Sequence, residues 1–238
     1  MHNNFISELM DWRPTLPGAA RLFNRCLARF GTHMRIVHPW GNGRMSNVEQ
    51  RMNHFHLCSQ VLAYNVPGDF VDLGCYLGQT SVIFDRAIQE YDPQRLLHVY
   101  DAFLVPGSVE TLKHNFFSVG ATVPEIHAGW IQETIPEKLP ERISFAHIDL
   151  GSRINPEHKE LVIYCLEHIY PRMSEGAICV LQSYCDPSIR ENWDPFHRPA
   201  VKQAADEFFK NRPEEMSVLY TGEAHIFAHG YFRKKAQT

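Results

Sequence analysis

Short apolar runs alternate with helical patterns along most of the chain. Each apolar run is bounded by glycine, proline or polar residues and predicts a buried strand. The predicted strands cover 69–73, 96–100, 123–126, 143–148 and 177–181, followed by a closing hairpin of 217–220 and 225–232 that turns at Gly222. Apolar residues at helical spacing predict the helices between them. Four of these helices cover 19–30, 46–65, 79–91 and 109–118. A fifth has an apolar face made of Leu161, Val162, Cys165, Leu166 and Ile169. A sixth has an apolar face made of Val201, Ala204, Ala205, Phe208 and Phe209.

Strands separated by helices predict an α/β fold with a doubly wound, mostly parallel sheet. We expect seven strands, the closing hairpin supplying one antiparallel strand. The helix before the first strand has a capping-box start, with Ser46 as N-cap and Glu49 three residues on. Residues 1–45 contain the irregular segments 12–14, 17–18 and 39–43, which combine proline with tryptophan or glycine. They predict an N-terminal extension that serves as a lid or an interface. Residues 46–238 form the predicted core domain.

Composition narrows the class of protein. Apolar residues make up 44% of the chain and charged residues 21%, and the net charge is −4. This balance predicts no nucleic-acid partner, and no apolar run is long enough to predict a membrane span. The six cysteines form no CxxC pair, and no export signal is visible, so we expect reduced cysteines in a cytoplasmic protein.

The candidate chemistry begins where the first strand meets a helix. Asp72, Gly74 and Gly78 form a D-x-G-x-x-x-G pattern, which differs from the G-x-G-x-x-G of dinucleotide sites. An acid before the first glycine suits a ligand with an ammonium group and no phosphate. The aminobutyrate chain of S-adenosylmethionine (SAM) meets that description.

The second strand ends at Asp101, where Rossmann-type sites bind ribose hydroxyls. Phe103 and Trp130 are candidates to flank an adenine, although Trp130 suits a core position equally well. The candidate cofactor-binding residues are Asp72, Gly74, Tyr76, Gly78, Ser81, Asp101, Phe103, Trp130 and Asp149.

The order of these motifs resembles the macrocin O-methyltransferase family, which methylates sugar hydroxyls in antibiotic biosynthesis. The matching segments lie within residues 45–234: they are 66–74, 99–103, 129–136, 147–149, 170–177 and 198–208. The resemblance implies a Rossmann-like class I methyltransferase fold, SAM as cofactor and Asp149 as catalytic base. It also implies a small-molecule acceptor and, as in relatives of this type, a homodimer.

The chain departs from the family at its metal ligands. The family has an aspartate after the fourth strand, which Asp149 matches, and an Asp-Asp pair before a tyrosine after the fifth. Here Gln182 and Ser183 precede Tyr184, and Asp149-Leu150-Gly151 replaces Asp-Gly-Asp. Magnesium prefers anionic oxygen ligands, so we expect no bound catalytic metal.

Several functions remain open at this point. The leading one is methyl transfer to a small-molecule acceptor of secondary metabolism. A second is a reaction of the SAM aminobutyrate chain itself, by cyclisation or by transfer of the chain, with SAM as the only substrate. A third is SAM binding without catalysis, and the glycine spacing argues against a nicotinamide dehydrogenase. Histidines are frequent, but we expect most of them to be surface or core residues; His54 and His56, two apart on one helix, face different sides.

Overall fold

In the computed structural model, the described residues are 18–30, 46, 48–104, 108–150, 157–184, 200–219 and 228–236. Within them, seven strands form one sheet: β1 Asp69–Leu73, β2 Leu97–Asp101, β3 Glu125–Ala128, β4 Ile143–Ile148, β5 Met173–Leu181, β6 Ser217–Leu219 and β7 His229–Arg233. The helices are α1 Gly18–Arg29, α2 Val48–Ala63, α3 Gln79–Tyr91, α4 Ser108–Ser118, α5 Ile131–Lys138, α6 Glu157–Ile169 and α7 Ala200–Phe209. A 3₁₀ turn, Tyr170–Arg172, joins α6 to β5.

The strand order is β3-β2-β1-β4-β5-β7-β6. All pairs from β3 to β5 are parallel, whereas β7 runs antiparallel to both of its neighbours. The predicted fold class, with one antiparallel strand, is therefore confirmed. The order reverses between β1 and β4, and a doubly wound sheet binds its ligands at the carboxyl ends of such strands.

Several boundaries and one helix differ from the sequence prediction. Strand β5 begins at Met173, four residues before the predicted 177, because the stretch 174–176 contains no apolar residue and interrupts the pattern. Strand β2 covers 97–101 rather than 96–100.

The β3 strand begins at Glu125 rather than at position 123, because it is an edge strand with half its side chains exposed and its apolar residues do not mark its ends. Helix α5 was not predicted, since it is only 8 residues long and contains Pro136. Helix α2 begins at Val48, which puts its N-cap position on residue 47 rather than on Ser46. Residue 47, most of the predicted extension 1–45 and the hairpin turn at Gly222 lie outside the described residues.

The central strands are apolar because both faces of the sheet are covered. All six residues of β4 are buried. The cysteines Cys58, Cys75, Cys165 and Cys179 are buried and unpaired. Among the described helices, none is long and apolar enough to cross a membrane.

The turn after β1 depends on a glycine. Gly74 has φ +87°, and a Cβ there would lie 2.0 Å from the carbonyl oxygen of Asp149. The backbones of the two strand ends therefore approach more closely than any other residue would allow.

Three histidines are buried in the core. The ring of His54 in α2 lies next to the other two: its centroid is 4.8 Å from that of His147 in β4 and 4.3 Å from that of His229 in β7. All three side chains are at most 1% exposed. Burial, followed by repulsion from His147, lowers the pKa of His229 to about 3, and burial also lowers the pKa of His54. His56, two residues after His54, is exposed, so the two histidines face different sides of α2, as predicted.

We predict that Gly74→Ala destabilises the protein far more than Gly120→Ala. Gly120 also has a positive φ, +64°, but nothing lies within 4 Å of an added Cβ. The control carries only the backbone cost, about 1 kcal/mol, while the Gly74 variant also forces the β1 and β4 ends apart. Urea unfolding of the two variants measures the difference, and equal losses would contradict the close approach.

We predict that stability falls as the pH drops from about 6.5 toward 3, partly through His229. Its folded pKa lies below its unfolded value, so the unfolded state binds the extra proton, and the stabilisation is present above pH 6.5 and lost below it. His229→Leu should flatten this pH dependence by up to about 1.4 kcal/mol per pH unit. His56→Gln is the control that should leave the slope unchanged. A His229→Leu slope identical to that of the wild type would refute the prediction.

Candidate active site

The glycine loop between β1 and α3 lies over the carboxyl end of the sheet. The N–H groups of Gly74 and Cys75 both donate to the carbonyl of Tyr100, at 2.8 and 3.3 Å. Gly78, with φ +84°, closes the loop by donating to the carbonyl of Cys75 at 2.9 Å. The loop is thus held to β2 before any ligand binds, and both glycines adopt the conformation that their positions predict.

Asp72 lies beneath this loop with its side chain completely buried. One carboxylate oxygen accepts a hydrogen bond from Ser81 Oγ of α3 at 2.5 Å, and the other lies 2.8 Å from His147 Nδ1 of β4. Direct contact of Asp72 and Ser81 with a ligand stays a prediction. In the structure the carboxylate connects β1, α3 and β4.

Asp101 joins the glycine loop to the segment after β2. Its two carboxylate oxygens accept hydrogen bonds from the backbone N–H groups of Tyr76 and Phe103, both at 2.8 Å. Tyr76 and Phe103 both have positive φ, +49° and +46°, so this carboxylate holds two strained turns in place. Each oxygen keeps a second lone pair for a ligand hydroxyl.

The two candidate aromatic residues, Phe103 and Trp130, lie on segments that are hydrogen-bonded to Asp101. Phe103 is half-buried against the core. Trp130 is 55% exposed, and the preceding Gly129 donates to the carbonyl of Asp101 at 3.0 Å. An indole exposed to this extent argues against a core position for Trp130 and leaves its face free to stack on a ligand.

Asp149 follows β4 directly beside the glycine loop. Its N–H donates to the carbonyl of Leu73 at 2.8 Å, and its side chain is half-buried. Burial raises the pKa of Asp149 to about 6; the nearby His147 lowers it, while the carboxylates of Asp72 and Asp101 raise it further. A carboxyl group with this pKa is ionised at neutral pH and accepts protons more readily than an ordinary aspartate.

The end of β5 lies beside Asp149 and carries no charge. Gln182 donates its N–H to the carbonyl of Ile148 at 2.9 Å, and Tyr184 donates to Ala228 at 3.0 Å. Between them Ser183 has φ +60°. One carboxylate with a neutral amide and a hydroxyl does not fit Mg²⁺, and among the described residues no three histidine, cysteine, aspartate or glutamate side chains could hold a metal ion. The stretch 151–156 lies outside the described residues.

Sequence reasoning missed the pairing of Asp72 with His147. Burial lowers the pKa of His147, but Asp72 opposes this and the net shift is upward. The period of 2 along β4 correctly puts His147 on the face of Asp149. The period does not predict the register between β1 and β4, which puts Asp72 opposite His147.

Similar proteins are methyltransferases of antibiotic biosynthesis. The chain is 24% identical over 172 residues to the mycinamicin III 3''-O-methyltransferase of Micromonospora griseorubida, covering 60% of this chain and 65% of that one. It is 22% identical over 170 residues to a tetracenomycin-glycoside 4'-O-methyltransferase of Streptomyces olivaceus, covering 60% and 63%. Each match thus spans less than two thirds of the relative. No family model matches the chain.

Solved structures share the fold at low sequence identity. The O-methyltransferase NovP superposes with a TM-score of 0.63 at 18% identity, covering 84% of this chain and 85% of that one. The calicheamicin TDP-rhamnose 3'-O-methyltransferase CalS11 gives 0.57 at 21% identity, with 96% and 90% covered. The SAM complex of TomG from Streptomyces achromogenes gives 0.60 at 11% identity, with 93% and 92% covered. The comparisons thus confirm the Rossmann-like fold and the resemblance to the O-methyltransferases of antibiotic biosynthesis.

Proposed function

We propose that this chain is a SAM-dependent methyltransferase that acts on a small-molecule acceptor of secondary metabolism without a bound divalent metal. The observation that carries the proposal is the Asp101 carboxylate, which joins the turns at Tyr76 and Phe103. This juncture lies at the carboxyl ends of adjacent parallel strands, where folds of this class bind nucleosides. The two similar curated proteins are both named as methyltransferases, which supports the same function.

The described residues offer a partner to each part of SAM. Asp101 accepts hydrogen bonds from the ribose hydroxyls, and the faces of Phe103 and Trp130 stack on the adenine. The segment from Gly74 to Gly78 approaches the aminobutyrate chain. The carboxylates around this segment favour the positive charge of SAM.

SAM supplies an electrophilic methyl group on a sulfonium centre. The protein then has to hold an acceptor in line with that methyl group, exclude water and accept one proton. Asp149 is the group placed to accept the proton, since it lies beside the glycine loop and its pKa is about 6.

A reaction of the SAM aminobutyrate chain itself is the second candidate. The observation that favours it is the misfit of Gln182 and Ser183 with a metal that would activate an external hydroxyl. In that reaction the nucleophile belongs to SAM, and methylthioadenosine is released in place of S-adenosylhomocysteine. A homodimer and a cytoplasmic location stay predictions.

We predict that Asp101→Asn weakens SAM binding about tenfold, equivalent to about 1.4 kcal/mol. The amide loses the charge that strengthens the hydrogen bonds to the two turns and to the ribose. Isothermal titration calorimetry with SAM measures the change. Asp206→Asn is the matched control, because within the described part of the chain Asp206 is an exposed residue whose ion pair is with Lys202 of the same helix. An Asp101→Asn protein that folds and binds SAM as tightly as the control contradicts the assignment.

We predict that kcat/KM for SAM falls as the pH drops through about 6, the pKa of Asp149 in the protein without ligand. The base is the ionised form, so the active fraction is high above this pH and is lost below it. Asp149→Asn should lower the rate about 10²- to 10⁴-fold and remove this limb of the profile. Release of S-adenosylhomocysteine or methylthioadenosine, followed by mass spectrometry from pH 5 to 8, is the measurement. If the rate of Asp149→Asn still falls at low pH as in the wild type, another residue is the base.

A further inference from the structure

The carboxyl edge of the sheet concentrates negative charge. Asp72 is the penultimate residue of β1, Asp101 ends β2 and Asp149 follows β4. Burial raises the pKa of Asp149, the nearby His147 lowers it, and the carboxylates of Asp72 and Asp101 raise it further. His147 is the one positive partner that the described residues give these three carboxylates, and its Nδ1 lies 2.8 Å from Asp72. Three carboxylates beside one imidazolium keep a net negative charge, which suits a cationic ligand.

The neighbouring end of β5 adds neutral hydrogen-bond acceptors. Gln182 is only 8% exposed, and its side-chain oxygen has no hydrogen-bond partner of normal geometry among the described residues, although its amide lies close enough to His147 to help raise the pKa of that imidazole. Ser183 is held at φ +60° between the backbone hydrogen bonds of Gln182 and Tyr184. A buried acceptor without a partner is costly and is normally satisfied by a donor.

We propose that the nucleophile alkylated at this site is an amine nitrogen, bound as an ammonium group against Asp149, Gln182 and Ser183. The inference rests on the proposed SAM site and specifies what reacts there. An ammonium group has one positive charge and up to three N–H donors. The carboxylate of Asp149 matches the charge of the ammonium group. Together with the side-chain oxygens of Gln182 and Ser183, it provides three acceptors for the three N–H donors.

The chemistry of a site without a Lewis acid favours nitrogen over an alkyl hydroxyl. A lysine-like amine has a pKa of about 10.4, so one proton transfer to a carboxylate exposes a nucleophilic lone pair. An alkyl hydroxyl resembles water, with a pKa of about 15.7 unless a metal lowers it. A single aspartate is too weak a base to ionise such a group.

The amine has two sources, and the step balances for both. An external ammonium gives one proton to Asp149, its nitrogen bonds to the methyl carbon, and the S–CH₃ electron pair stays on sulfur in S-adenosylhomocysteine. Alternatively, the α-amino group of SAM gives its proton to Asp149 and its nitrogen bonds to the γ-carbon of the same chain. The Cγ–S electron pair then stays on sulfur, and the products are a four-membered cyclic amino acid and methylthioadenosine.

The test uses the full chain in EDTA with SAM carrying a deuterated methyl group. One arm contains SAM alone, and a second adds a panel of matched pairs, each an aminosugar or aryl amine with its hydroxyl counterpart. Mass spectrometry follows SAM, methylthioadenosine, S-adenosylhomocysteine and labelled products. Calorimetry with SAM precedes both arms, so failure of the SAM site itself is recognised separately.

Two results support the proposal and identify the source of the amine. Methylthioadenosine formed at least tenfold faster than without protein, together with the cyclic amino acid, assigns the amine of SAM and rejects methyl transfer. Deuterated methyl on the amine of a pair and not on its hydroxyl partner assigns an external amine. Labelled hydroxyl products, or binding of SAM without consumption in either arm, overturn the proposal.

A binding measurement tests the same residues without turnover. The wild-type complex with S-adenosylhomocysteine should show no saturable Mn²⁺ binding by electron paramagnetic resonance. Gln182→Asp combined with Ser183→Asp should create such a site, and adding Asp149→Asn should remove it again. One Mn²⁺ per wild-type chain, lost in Asp149→Asn, would overturn the charge argument.

Discussion

A buried carboxylate holds together the elements that form the site. Asp72 is enclosed at the end of β1, and its two oxygens are taken up by Ser81 of α3 and His147 of β4. An isolated charge in such a place would be expelled or neutralised, so removing either partner should destabilise the folded state. Because Ser81 lies in the first turn of α3, the same contact fixes where the glycine loop ends. The position of Asp149, two residues after His147, depends on it as well.

From this anchor the site divides into two parts with different chemistry. The part nearest β2 is stabilised by Asp101 and has two aromatic side chains beside it, an arrangement suited to a nucleoside. The part nearest β5 has a half-buried aspartate, an amide and a hydroxyl. The first part resembles the antibiotic methyltransferases in its motifs, and the second departs from them. Under the proposed function, the protein shares SAM with the methyltransferases that it resembles and provides a different environment for the nucleophile.

Much of this arrangement could be predicted from the sequence, and the failures have physical causes. Asp69–Leu73 and Ile143–Ile148 were predicted with their true limits because both faces of a central parallel strand are apolar. At the edge strand β3 this signal is absent, and the prediction began two residues too early. In β5 the apolar run starts only at Ala177, so the prediction missed the first four residues of that strand. Gly74 and Gly78 could be placed because a turn after a strand needs them, whereas the pairing of Asp72 with His147 depends on register between strands 75 residues apart. A local pattern carries no information on such a contact.

A crystal structure of the protein with S-adenosylhomocysteine tests the central claim most directly. We expect the ribose hydroxyls within hydrogen-bond distance of Asp101, the adenine against Phe103 and Trp130, and the amino acid chain along Gly74 to Gly78. We also expect the sulfur to face Asp149 and Ser183. Ligand density away from the carboxyl ends of β1 and β2, with Asp101 bound only to its two backbone N–H groups, would contradict it.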